Sequence, residues 1–256
     1  MTSHAHYGVD APGIFRANLV LACLLGSAAI AGLAWPVLNP VLVWLSAGAA
    51  VLAALFLFLA AVMLWSSLVG KKRVRDRLVA ALDLSGRERV LDAGCGRGLA
   101  LIACARKLVT GKAVGIDLWA GKDLSNNNPE ATLANAAAEG VADRIEVKSG
   151  DITSLPFPDA SFDVVVSMTV IHNIPSRELR DQALREFMRV LKPGGRIAIF
   201  DLLHTSRYAE VLRGAGLTVR DIGHDRLWLL SGRTLIAQSK AAPVPADTKE
   251  SELVHQ

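Results

Sequence analysis

The residues with the most chemistry in them form one run, Val90-Leu91-Asp92-Ala93-Gly94-Cys95-Gly96-Arg97-Gly98. An apolar strand that runs into Asp-x-Gly-x-Gly-x-Gly and then into a helix brings backbone very close to a ligand. Glycines remove the Cβ atoms that would block the approach, and the helix N-terminus favours a carboxylate. A dinucleotide fingerprint needs glycine where Leu99 stands, which counts against NAD or FAD. The next apolar segment ends at Asp117, 19 residues beyond Gly98. A carboxylate there can accept both hydroxyls of a ribose. Either signal alone is weak; on successive strands they set this loop apart from a structural turn with a chance aspartate.

Two histidines follow later strands. His172 lies in Met168-Thr169-Val170-Ile171-His172-Asn173, and His204 in Asp201-Leu202-Leu203-His204 with Tyr208 one turn on. An imidazole with a pKa of about 6.5 can deprotonate an acidic hydroxyl or thiol. Each could equally serve only as a backbone hydrogen-bond partner or pocket wall, and both readings stand. Cys95 reads as packing in the glycine loop. With Cys23 and Cys104 it makes no disulfide framework and no zinc spacing, so the reactive side looks intracellular.

Alternating elements must position these groups. Helical spacing covers Lys72–Leu82, Leu99–Val109, Pro129–Glu139 behind an Asn128 cap, Ser176–Leu191 and Ser206–Gly214. Strands are expected at Arg89–Ala93, Ala113–Asp117, Arg144–Ser149, Asp163–Met168 and Arg196–Leu202, with Leu217–Ile222 and Leu227–Ala237 as a closing antiparallel pair. The order implies an α/β, doubly wound, seven-stranded, mostly parallel sheet. The polar stretch Trp119–Asn128 is long for a strand-to-helix loop and reads as a lid or a solvated loop. Residues 240–256 read as a disordered tail.

Upstream of this domain, residues 17–70 are 54 residues without a charged side chain. They divide at Trp35-Pro36-Val37-Leu38-Asn39-Pro40 into stretches of 18 (Ala17–Ala34) and 24 (Val41–Leu64), and a bilayer core needs about 17–25. Two transmembrane helices joined by a short turn are expected, with Trp35, Trp44 and Trp65 as interfacial anchors. Small residues Ala22, Gly26 and Ser46, Ala50, Ala54 would let the helices approach. The segment Lys71–Arg77 holds five basic residues and one acidic one, which accounts for the whole net charge of +4. By the positive-inside rule that cluster is cytoplasmic and meets membrane lipids, as are both termini. A cleaved signal peptide would not explain the second span. With no second basic cluster, a nucleic-acid partner is not implied. The expected organisation is a cytoplasmic segment 1–16, a hairpin 17–70, a catalytic domain 71–239 and the tail.

Over about residues 72–238 the chain resembles the class I S-adenosylmethionine (SAM)-dependent methyltransferases. The resemblance is carried by Asp92–Gly98, Gly115-Ile116-Asp117, Gly150-Asp151, Leu155-Pro156-Phe157-Pro158-Asp159…Phe162-Asp163 and Leu191-Lys192-Pro193-Gly194-Gly195. It implies a Rossmann-like fold with SAM as cofactor. Asp92, Gly94, Cys95, Gly96 and Gly98 would form the methionine-side loop, and Asp117 would bind the ribose. Leu118, or Trp119, would pack on the adenine, Asp151 and Ile152 would hold its edge, and Ser167 with Met168 would face the sulfonium. His172 matches a position where many small-molecule methyltransferases carry His-His, with Asn173 in place of the second histidine. His172 and His204 are the candidate bases. No Asn/Asp-Pro-Pro-Tyr run, no carboxylate set for magnesium, no arsenic-type cysteine set and no recognition insertion is present. A small, lipophilic acceptor methylated on O, S, N or C is the expectation, with no metal. The alternative is a SAM-binding membrane sensor or scaffold that transfers nothing.

Overall fold

A computed structural model describes residues 5–33, 40–121, 123–227 and 230–241. Two long helices, α1 (Pro12–Leu33) and α2 (Pro40–Trp65), pack on each other as an antiparallel pair. The turn expected at 35–40 lies, except for Pro40, outside the described residues, as does the tail from 242 onward. Asn18 Nδ2 donates to Met63 Sδ across the pair at 3.4 Å, and Ser46 Oγ returns to the Leu42 carbonyl at 2.7 Å. Small residues make the seam, but the row on α2 differs from the one read in the sequence. Ser46, Ala49, Ala53 and Ala60 face α1, whereas Ala50 and Ala54 are exposed. A spacing of four drifts off one face of a helix that turns every 3.6 residues, so the seam alternates steps of three and four.

One π-helical turn, Ser66–Gly70, joins α2 directly to α3 (Lys71–Ala80), with Ser66, Ser67 and Gly70 buried. The domain that follows has β1 (Arg89–Ala93), α4 (Leu99–Ala105), β2 (Lys112–Asp117), α5 (Pro129–Ala138) and β3 (Ile145–Ser149) in its first half. The second half has β4 (Phe162–Met168), α6 (Arg177–Val190), β5 (Leu191–Asp201), α7 (Thr205–Gly214), β6 (Thr218–Leu227) and β7 (Leu230–Gln238). The sheet order is β3-β2-β1-β4-β5-β7-β6, with β7 antiparallel to both neighbours and the other pairings parallel. Apolar cores fill both faces of the sheet, one around Leu78, Leu101 and Phe200, the other around Phe162, Phe187 and Tyr208. Two-sided burial explains the unbroken apolar run Val164-Val165-Val166 on the central strand.

Asn128 and Ser176 cap α5 and α6 as the sequence indicates, accepting from Ala131 N at 2.8 Å and Leu179 N at 3.1 Å. The helix α4 stops four residues before Val109. There the amides of Val109, Thr110 and Gly111 turn to the Gly86 carbonyl, pinning the loop before β1. β5 starts at Leu191 instead of Arg196 because Leu191 already pairs with Phe162 ahead of a register slip.

The basic cluster beside the hairpin is less available than its sequence suggests. Lys71 is buried, Arg75 pairs with Asp76, and Arg77 pairs with Asp225 of β6 at 2.6 Å. Lys72 and Arg73 lie over the rings of Tyr7 and Trp65.

Candidate active site

The carboxyl ends of the five parallel strands, the end of β6 and the start of β7 face one cavity of about 780 Å³. In an open α/β sheet this carboxyl edge is where ligands bind. The order of the strands divides the cavity. Segments after β1, β2 and β3 build one end, and segments after β4, β5 and β6 build the other.

At the first end, β1 delivers Asp92 and then the loop Gly94–Gly98. Gly94 adopts φ +82°, and a Cβ there would come within 2.4 Å of Val170 Cγ1, so no other residue fits. Asp92 is fully buried and lines the cavity, and its Oδ2 has no hydrogen-bond partner. Burial pushes its pKa up to about 7, opposed by the Leu101 amide and assisted by the charge of Asp117. A buried carboxylate oxygen left unpaired beside a cavity is waiting for a donor from a ligand. Asp117, at the end of β2, accepts from Gly96 N at 2.8 Å, Trp119 N at 2.6 Å and Asn127 Nδ2 at 3.2 Å. Asp151 and Ile152 after β3 also line this end.

Leu118 lines the cavity and is 66% exposed, an open apolar face for a flat ring. Trp119 does not share that position: its indole donates to Ser149 Oγ at 2.8 Å. Cys95 reaches the cavity, but burial, Asp92 and Asp117 hold its thiol pKa far above the ordinary range, so it is packing and not a nucleophile.

Three residues expected at the site stand apart from it. Gly98 takes the left-handed N-cap position of α4 and lies behind the loop, outside the cavity lining. Ser167 is buried with its Oγ donating to the Ala93 carbonyl at 2.9 Å, because on β4 it points between strands and not past the strand end. Met168, Thr169 and Val170 take the position beside the glycine loop instead. His204 is exposed in a left-handed turn and does not reach the cavity.

His172 does line it. Its Nδ1 is held by Asp201 Oδ1, and its backbone amide donates to Asp201 Oδ2 at 3.0 Å. Asp201, at the end of β5, has no exposed surface and also accepts from Leu202 N at 2.8 Å and Tyr208 OH at 3.3 Å. Burial and the Asp201 charge raise the Tyr208 pKa, so the phenol remains a donor. Asp201 therefore fixes the ring by Nδ1–H and leaves the lone pair on Nε2. This pairing escaped the sequence reading, in which Asp201 was only a neighbour of His204. The apolar residues Ile14, Ile174, Leu202, Leu203, Leu227 and Leu230 share the cavity lining with His172.

Residues 91–199 match the family model described as a methyltransferase domain. Over this stretch the chain is similar to methyltransferases. Its fold is that of the SAM-dependent enzymes: a SAM-dependent methyltransferase from Aquifex aeolicus superposes with a TM-score of 0.51 at 19% identity, over 64% of this chain and 88% of the other. The 27-O-demethylrifamycin SV methyltransferase of Amycolatopsis mediterranei is 37% identical over 151 residues, 59% of this chain and 52% of that protein. A demethylmenaquinone methyltransferase of Lactiplantibacillus plantarum is 35% identical over 130 residues, 50% of each. The chain spans about half the length of the curated relatives it matches. The unpaired Asp92 oxygen, the Cβ-free loop and the Asp117 carboxylate fit S-adenosylmethionine, the cofactor of the enzymes that share this fold. Among the described residues no cluster of three or more His, Cys, Asp or Glu could hold a metal.

Proposed function

We propose that this protein is a membrane-anchored methyltransferase that acts on a small, lipophilic acceptor carrying an acidic O–H or S–H. The observation that carries the reading is the His172–Asp201 pair at a cofactor cavity whose lining includes apolar residues. SAM brings an activated methyl group on a sulfonium. The protein's own tasks are then alignment, exclusion of water and control of one proton. Asp92, Asp117, Asp151 and Leu118 would hold and orient the cofactor. His172 Nε2 would take the acceptor's proton as its oxygen or sulfur attacks, and Asp201 would stabilise the imidazolium by accepting from Nδ1–H. The leucines that share the cavity lining with His172 would exclude water and prefer an apolar body.

Support for anchoring comes from the first two helices. α1 has 22 residues and α2 has 26, about 33 and 39 Å, against a hydrocarbon core of about 30 Å. Only 6% and 11% of their most apolar stretches are buried within the protein, which supports a membrane setting over a soluble core. Ile30, Trp44 and Val51 are each more than two-thirds exposed. Under this reading residues 17–70 are the anchor, 71–239 the catalytic domain, and both termini are cytoplasmic. Demethylmenaquinone, named for the relative above, is an apolar small molecule, which supports the lipophilic part of the proposal.

The test is transfer of tritiated methyl from SAM by the full chain in vesicles, offered a membrane lipid extract in parallel with water-soluble phenols and thiols. Label in a small molecule of the lipid extract is the expected result. Transfer only to the soluble acceptors would overturn the lipophilic assignment, and tight SAM binding with no transfer would favour a sensor.

A further inference from the structure

The residues ahead of α1 are bound to the methyltransferase domain. His6 N donates to Asn135 Oδ1 at 2.8 Å, and Asn135 Nδ2 returns to the carbonyls of His6 and Arg97, each at 2.9 Å. Val9 N donates to Ser125 Oγ at 2.9 Å, Ser125 N to the Val9 carbonyl at 3.2 Å, and Ala11 N to the Asp123 carbonyl at 3.0 Å. A short antiparallel bridge, Asp10 with Leu124, thus joins this strap to the loop between β2 and α5.

Lys71 locks the strap from the other side. It is the first residue of α3 and only 4% exposed. Its ammonium donates to the Tyr7 carbonyl at 2.9 Å, the Gly8 carbonyl at 2.8 Å and Asp10 Oδ1 at 3.0 Å. A lysine has three N–H donors, and all three are used. Ser67 Oγ, from the π turn that ends the hairpin, donates to Asp10 Oδ2 at 3.3 Å. Methyl transfer needs none of this, and burying an ammonium is costly unless it is fully paired. Something is gained by holding the strap in place.

What the strap touches is the cofactor end of the cavity. Gly8 adopts φ +74°, and a Cβ there would meet Leu124 Cδ1 at 2.9 Å. Leu124 in turn lies over Gly96, whose Cβ would meet Leu124 Cδ2 at 3.0 Å. Three residues on, Asn127 donates to Asp117. Asp10 and Ala11 themselves line the cavity.

We propose that residues 6–11 form a wall of the SAM site, and that Lys71 is the positioning residue that sets it, so that the root of the hairpin governs how tightly the cofactor is held. The inference rests on the SAM site and not on which acceptor is used. Lys71 itself borders the cavity, but its three donors are all spent on the strap, and it acts through the strap and Leu124.

The experiment uses the full chain in vesicles or detergent with SAM and S-adenosylhomocysteine as probes, read by calorimetry and by hydrogen exchange. In the unsubstituted protein, SAM is expected to slow exchange at residues 6–11 and 123–127 together. Lys71→Met is expected to weaken SAM binding about tenfold or more, as loss of hydrogen bonds to a charge implies. KM for SAM rises, while kcat at saturating SAM changes less than about threefold, a split that general loss of structure does not produce. Asp10→Asn, which keeps the shape and removes one partner, gives a smaller shift in the same direction and decides the matter if Lys71→Met does not fold. Folded variants with unchanged SAM affinity would overturn the inference and leave the enzyme assignment intact. No SAM binding by the unsubstituted chain would overturn both.

Discussion

The two ends of the cavity are built by different rules. The cofactor end is made largely of backbone, in loops that directly follow β1 and β2, and its demands are steric. No side chain can stand at Gly94, and Asp92 must stay buried with an oxygen to spare. The acceptor end is made of side chains from distant parts of the chain. Ile14 comes from the start of α1, His172 from beyond β4, Leu203 from beyond β5, Leu227 from the end of β6 and Leu230 from the start of β7. A site for one fixed ligand can be written as a motif. A site for a variable acceptor is assembled by the fold, where loops and strand ends can change without disturbing the sheet.

If the ends are separate in this way, substitutions should separate them. The largest effect belongs to Gly94→Ala. The new methyl strikes Val170 in a left-handed backbone, and SAM affinity should drop by about 100-fold or more in calorimetry. At the other end, Asp201→Asn should lower kcat by about 10- to 100-fold with KM for SAM unchanged, because it frees the His172 ring and its tautomer. A matching rise in KM for SAM would mean that the two ends are one unit.

Acidity offers a finer cut. Asp92 moves from 3.8 to about 7 on folding, so between those values the folded protein holds a proton that the unfolded chain has lost. Its contribution to stability is complete below pH 3.8 and is lost as pH rises through 7. The ligand-free protein should therefore melt lower at pH 7.5 than at pH 5.5 by a component that Asp92→Asn removes. A donor from SAM on Oδ2 lowers that pKa again, so binding near pH 6.5 should release protons, read as a buffer-dependent binding enthalpy that is absent in Asp92→Asn. The smallest effect is expected of His204→Ala, less than about twofold in kcat, since that ring is exposed away from the cavity.

The same contrast governs what could be read in the sequence. Strand alternation, turn glycines and caps at Asn128 and Ser176 are local signals, and the sheet and its cofactor edge follow from them. Asp92, Asp117 and the glycine spacing were legible because the constraints on them are steric and local. Ser167 misled because a residue count reaches the end of a strand but does not say which way the last side chains turn. His172 and His204 looked equivalent, each a histidine just past a strand; only the fold shows that Asp201 and Tyr208 serve the first. Lys71 looked like one member of a basic run, because no local pattern announces that residues 7–10 return to it across more than 60 positions. Long-range partners of this kind are what a single sequence hides most completely.

The central claim is that SAM held at one end is used by His172 at the other on a lipophilic acceptor. Its most direct test is a single-turnover assay on the full chain in vesicles, preloaded with tritiated-methyl SAM, with His172→Ala alongside. Label should pass into an organic-extractable small molecule with the unsubstituted protein, and about 100-fold or more slowly with His172→Ala, at equal SAM occupancy. Equal transfer rates in the two proteins, or no transfer from a fully loaded site, would contradict the account.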